Sequence, residues 1–115
     1  MLKEILREFA GITDVQSAAV SGRDGFVIEI EKTSDVNPDA VGAMTSSSVR
    51  VYEEMGRALG RGRLKQAVLS HRNGHVILCQ LTDEEFLVIT AKPDANTGRL
   101  MHELGKKKER LLAVM

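Results

Sequence analysis

The residues of this chain that could do chemistry are few, and most are better explained without it. His71 and His75 stand four apart in His71-Arg72-Asn73-Gly74-His75, a spacing that invites a metal reading. Asn73-Gly74 is also the strongest short-range hairpin signal. With those two residues as the turn, Arg72 faces His75 and His71 faces Val76, so the imidazoles point to opposite faces of a sheet. His102 falls on a separate predicted helix and Cys79 has no second cysteine to join it, so no metal site is expected. Cys79 lies inside an apolar run, where cysteine usually serves as a small buried hydrophobe. A nucleophilic role requires an activating base and an accessible, electropositive setting, and neither histidine is forced beside it. A sensor or enzyme built on a Cys79–His pair is therefore the outlying hypothesis, and thiol reactivity discriminates it.

Gly56-Arg57-Ala58-Leu59-Gly60-Arg61-Gly62-Arg63 looks superficially like a phosphate loop. A Walker loop follows a strand, opens a helix and ends in Gly-Lys-Ser/Thr; this segment follows a helix and lacks that ending. Glycine stopping a helix, with arginines near its negative pole, accounts for it. The same arginines, Arg50, Arg57 and Arg61, are candidates for receiving an acidic partner. Ser46-Ser47-Ser48 sits in mid-helix with no G-x-S-x-G context, so close helix packing explains it better than nucleophilic catalysis. Lys106-Lys107-Lys108 reads as a solvated helix face, and the carboxylates lie on turns and helix faces without pairing in a cavity. No catalytic residue and no cofactor is expected.

Composition narrows the class further. The 115 residues fit one domain, 1–115, and 43% hydrophobic content is ordinary for a folded protein. Aromatic residues are limited to Phe9, Phe26, Phe86 and Tyr52, so the interior must be aliphatic and platforms for stacking bases are lacking. Sixteen basic and sixteen acidic residues cancel, which argues against non-specific nucleic-acid binding. No apolar run reaches membrane-spanning length, the first residues do not follow a signal peptide's layout, and a lone cysteine forms no internal disulfide. A cytoplasmic location without membrane insertion is expected.

The elements that must position these residues follow from periodicity. Leu2, Ile5, Leu6 and Phe9 make one apolar stripe on a short helix ended by Ala10-Gly11. Residues 15–21 and the alternating run Phe26-Val27-Ile28-Glu29-Ile30-Glu31 flank the turn Gly22-Arg23-Asp24-Gly25. They predict a hairpin with Phe26, Ile28 and Ile30 on one face. Asn37-Pro38 is an N-cap followed by proline at the first helical position, opening a long helix to Leu59 with Gly60 as its stop. Its apolar positions, Val41, Met44, Val51, Met55 and Leu59, share a stripe with Ser48. Small residues in its middle, Ala43 and Thr45 through Ser48, allow another backbone to come close. Residues 64–72 and 75–81 form a second hairpin. Phe86-Leu87-Val88-Ile89-Thr90-Ala91, apolar on both faces, is placed centrally in the sheet. Asn96 caps a last helix from Thr97 to about Val114, with Leu100, Met101, Leu104 and Leu111 inward. The result is an α+β domain in the order α-β-β-α-β-β-β-α: a five-stranded antiparallel sheet with helix 2 on one face and the terminal helices on the other.

In a simple meander, Gln66-Ala67-Val68-Leu69-Ser70 lies at a sheet edge with neither charge nor proline to blunt pairing. Pairing edge with edge and helix with helix in a twofold dimer would satisfy that strand and the small-residue helix together.

The chain as a whole resembles the Roadblock family, the dynein light-chain fold shared with bacterial gliding-motility regulators of the MglB type. The resemblance rests on residues 20–28 of the first hairpin, 43–60 of the long helix, Asn73-Gly74-His75-Val76, and Ala95-Asn96-Thr97-Gly98-Arg99-Leu100. It implies kinship with longin- and profilin-like domains, and homodimers joined through the third strand and second helix into a ten-stranded sheet. It also implies binding of Ras-like small GTPases on the helix-2 side. Carried over, the dimer surface would hold Met44, Ser47, Ser48, Val51 and Met55 with Ala67, Val68, Leu69 and Ser70. The expected function is a homodimeric, non-catalytic regulator or adaptor of a Ras-like GTPase; the alternative is a structural scaffold subunit of a larger motor or signalling assembly. The family pattern supplies no universal catalytic arginine, so GTPase stimulation is not read into Arg57 or Arg61.

Overall fold

A computed structural model describes residues 1–32 and 35–115. The elements are α1 (Leu2–Ala10), β1 (Val15–Gly22), β2 (Val27–Lys32), α2 (Pro38–Ala58), β3 (Gln66–His71), β4 (Gly74–Gln80), β5 (Glu85–Ala91) and α3 (Thr97–Leu112). The strands form one antiparallel sheet in the order β2-β1-β5-β4-β3. β5 is thus central, as its two apolar faces require, and β2 and β3 are the edges.

Local chemistry sets the helix starts. The Asn37 side chain accepts from the Asp39 and Ala40 amides at 2.9 and 3.4 Å, with Pro38 at the first helical position, where its missing N–H is no loss. Asn96 accepts from Arg99 N at 3.0 Å. At the far end of α2 the Leu59 amide still bonds Met55 O, and Gly60, at φ 68°, turns the chain out of the helix.

Each face of the sheet has its own core. α1 and α3 bury Leu6, Phe9, Leu100, Leu104 and Leu111 against Val20, Ile77, Leu87 and Ile89. Beneath α2 a smaller core gathers Ala19, Val49, Leu78, Phe86 and Val88. The expected layering therefore holds: helix 2 on one side, the terminal helices on the other.

Two local expectations do not hold. In the first hairpin, Val20 lies opposite Glu29 while Ser21 lies opposite Val27, leaving Ile28 as an extra residue. This bulge breaks the two-residue alternation. Phe26 and Ile28 are consequently exposed, and only Ile30 packs beneath α2. In the second hairpin His71 pairs with Gly74 and Ser70 with His75, so the turn is Arg72-Asn73 rather than Asn73-Gly74. Gly74 is needed in the strand itself: a Cβ there would lie 2.6 Å from the Ala91 carbonyl oxygen, and its φ is 151°. The histidines still face opposite sides. His75 donates from Nε2 to Pro93 O (3.1 Å) and accepts at Nδ1 from Ser70 Oγ (2.9 Å), whereas His71 lies on the α2 side.

α2 does not lay its apolar stripe on the sheet; Gly42, Thr45 and Val49 are its buried residues. Small residues let the helix sit very close to the first hairpin. A Cβ on Gly42 would fall 2.3 Å from Gly25 O, and Ser46 Oγ donates to Arg23 O at 2.6 Å. The small middle of the helix therefore serves, at least on this flank, the chain's own turn.

Candidate interface on helix 2 and the edge strand

Because Gly42, Thr45 and Val49 face inward, the large apolar residues of α2 face out. Met44 is 63% exposed and Met55 56%, with Val51 and Leu59 similarly open and Ser47 exposed between them. Ser48 is half-buried at the margin of this stripe. Positions 44, 48, 51 and 55 recur at the helical period, so they form one continuous ridge.

α2 makes its closest approach to the sheet over β1 and β2. On the β3–β4 side this leaves a groove of about 420 Å³. Val41, Met44 and Ser48 line one wall; Leu69, His71 and Val76 line the other. β3 closes the groove at the sheet margin. Along it Ala67 and Leu69 look toward α2, while Val68 (40% exposed) and Ser70 occupy the other face. As an edge strand, β3 offers half of its backbone N–H and C=O groups to the outside, and the stretch from Gln66 to His71 carries no Asp, Glu, Lys, Arg or Pro. The structure thus places the nine residues Met44, Ser47, Ser48, Val51, Met55, Ala67, Val68, Leu69 and Ser70 along α2 and β3, the two elements that bound one groove, with Val68 and Ser70 on the strand's far face. Leu59, in the same helical stripe but absent from the sequence-based set, extends the surface.

The arginines are distributed otherwise. Arg50 and Arg57 share a shallow depression with Glu53 and Glu54, whereas Arg61 belongs to a separate cleft beside α3. All three are exposed. The arginine that does most for the architecture is Arg23, which the sequence reading passed over as part of a turn. Its Nη1 and Nη2 donate to Glu53 Oε1 and Oε2 at 2.7 and 3.0 Å, its Nε donates to Asp83 O, and its guanidinium lies 5.0 Å from the Phe86 ring centre. Glu53 also accepts from Leu64 N (3.2 Å) and stands 3.5 Å from Arg63 Nε. This carboxylate, with its side chain only 12% exposed, joins α2 to both hairpins. The bidentate Arg23 bonds hold its pKa down to about 2, against the opposing effect of burial.

Cys79 is buried, and burial pushes its thiol above the ordinary range, with Lys108 pulling weakly the other way. That is the environment of an inert thiol rather than a nucleophile. Among the described residues no cluster of three or more His, Cys, Asp and Glu side chains could hold a metal, and no helix is long and apolar enough to cross a membrane.

Comparison with known proteins matches this arrangement to a family. Residues 1–91 match the Roadblock/LC7 domain model. An uncharacterized protein of Methanocaldococcus jannaschii, MJ1340, is 25% identical over 114 residues, spanning 99% of both chains. Among solved structures, Myxococcus xanthus MglB superposes with a TM-score of 0.90 at 9% identity, covering 98% of this chain and 93% of that one. An MglB in a tetrameric arrangement gives 0.87 at 18% identity, covering 96% and 85%. The α2–β3 surface described above is therefore carried on a Roadblock/LC7 fold, and the chain belongs to the Roadblock/LC7 domain family.

Proposed function

We infer that this chain is a homodimeric, non-catalytic regulator or adaptor that binds a Ras-like small GTPase. The observation that carries the reading is the outward apolar ridge of α2 lying beside an uncharged, unguarded edge strand. A ridge of Met and Val facing water is costly in a lone chain, at roughly 25 cal/mol per Å² of apolar surface. A second copy that pairs β3 with β3 and lays its own α2 alongside would cover both features in one isologous contact. The GTPase part of the reading draws on the family and on the kinship of the fold with MglB. A broad, continuous surface built from two helices is suited to holding another protein's switch segments in one arrangement, which regulates a GTPase without a reacting group of the chain's own. Arg50 and Arg57 are exposed and form no ion pair among the described residues, which leaves them to meet acidic residues of that partner.

Sedimentation equilibrium tests the first half. The wild-type chain is expected as a dimer, and the double variant Met44→Glu, Met55→Glu as a folded monomer with an unchanged circular dichroism spectrum. A monomeric wild type at high concentration overturns the dimer. For the second half, the immobilised chain is used to capture proteins from its native lysate, and any recovered GTPase is assayed for nucleotide-dependent binding and hydrolysis. Recovery of a stable multi-subunit complex lacking a GTPase overturns the GTPase reading in favour of a scaffold subunit.

A further inference from the structure

A second concavity, about 500 Å³, opens at the other end of the long helix, between the α2–β3 loop and α3. Its floor is apolar: Cys79, Leu87, Met101 and Leu104. Its walls carry Arg61, Arg63, Lys65 and Lys108, and no carboxylate lines it. Arg63 is partly answered by Glu53 and by Asp83, 3.6 Å from Nη1, but Arg61, Lys65 and Lys108 form no ion pair among the described residues. In a chain of zero net charge, four cations gathered around one apolar hollow are a local imbalance.

Lys108 was expected on a solvated face with Lys106 and Lys107. Instead it is half-buried and close enough to Cys79 for its charge to act on the thiol, so it leans over the hollow rather than away from it. Gly105, one turn earlier, is a glycine in a helix interior, which costs about 1 kcal/mol relative to alanine. No close packing demands it, because a Cβ there would meet nothing within 4 Å. The hollow thus extends up to the helix backbone.

We propose that this cleft binds an acidic peptide segment of a partner protein, with an aliphatic side chain seated on the Leu87–Met101–Leu104 floor and carboxylates against Arg61, Lys65 and Lys108. Several separated cations suit several carboxylates along a chain better than one anionic head group. The apolar floor offers nothing to a bare polyphosphate. The proposal is independent of self-association: Gln66 is the one cleft residue on the edge strand, and none of the α2 ridge lines the cleft.

Fluorescence anisotropy with a fluorescein-labelled peptide of alternating glutamate and leucine tests it on the full chain. Saturable binding is expected, weakened about tenfold or more by the double variant Arg61→Glu, Lys108→Glu and by replacing leucine with serine in the peptide. Gly105→Leu is expected to abolish binding without lowering Tm, since leucine is the better helix former and enters open space. Binding that the serine peptide reproduces, that survives Gly105→Leu, or that inorganic triphosphate displaces more readily than unlabelled peptide overturns the proposal, as does the absence of saturable binding. Sedimentation of the same variants keeps the result separate from dimerisation, which they should leave unchanged.

Discussion

The two edges of the sheet are treated in opposite ways. At β2 the strand is bulged at Ile28, carries Glu29, Glu31 and Lys32, and is tied down on one face by Arg7 of α1, whose Nε lies 3.3 Å from Glu31 Oε1. A bulge and a row of charges are the means by which sheets prevent further strands from adding. β3 has neither, and its neighbour α2 turns an apolar ridge to the same side. One edge is finished by the chain itself; the other stays open and uncharged. The difference supports the proposed dimer, in which the exposed ridge would be covered by a second copy.

This contrast can be broken most sharply at its centre. Val68→Lys places a charge on the open edge and is expected to weaken self-association about a hundredfold, near 2.7 kcal/mol, as read by sedimentation. Ile28→Lys, the matching change at the closed edge, should leave the association constant where it was. Next in size is the clamp that positions α2 between the two hairpins. Glu53→Gln should cost on the order of 2 kcal/mol in urea unfolding, because Arg23 keeps its burial but loses its counter-charge. The same clamp sets an acid dependence. Glu53 has its folded pKa depressed from 4.5 to about 2, so its contribution is fully present above about pH 4.5 and is lost as pH falls toward 2. In Glu53→Gln that portion of the acid transition should disappear.

A smaller effect separates the inner face of α2 from its outer ridge. Gly42→Ala puts a methyl group 2.3 Å from Gly25 O and should cost about 1–2 kcal/mol by forcing helix and hairpin apart, despite alanine's better helix propensity. The least effect is expected from Arg7→Ala, an exposed ion-pair partner worth about 0.5 kcal/mol or less in thermal unfolding. Its loss should nonetheless leave β2 monomeric in behaviour, since the bulge remains.

Much of the candidate site was legible in residue order. Gln66 to Ser70 declares an unguarded strand by lacking any charge or proline. The apolar run of the last strand, alike on both faces, declares it central, and in a simple meander the open edge follows. The faces of α2 were less legible. Its large apolar residues at 44, 51, 55 and 59 have the spacing of a core stripe, and periodicity cannot say whether a stripe meets its own sheet or another molecule. The clamp was illegible for a different reason: Arg23, Glu53, Leu64 and Asp83 are far apart in sequence, and no local pattern marks charges that meet only through folding. The cleft at Lys108 escaped notice because a lysine triplet reads as a solvated face unless the helix's rotation against the sheet is known.

What the residues alone determined is what depends on neighbours along the chain: the element order, the Asn37 and Asn96 caps, the central and marginal strands, and the absence of a local catalytic motif. Tertiary structure decided the matters of proximity. It chose Gly42 and Thr45 over Met44 and Met55 to face the sheet, because close approach of α2 to the Gly25 turn is possible only through small side chains. It moved the second turn by one residue, because Gly74 must pass beside Ala91. Spacing encodes which residues share a face; only the packing of one backbone against another determines which way that face points.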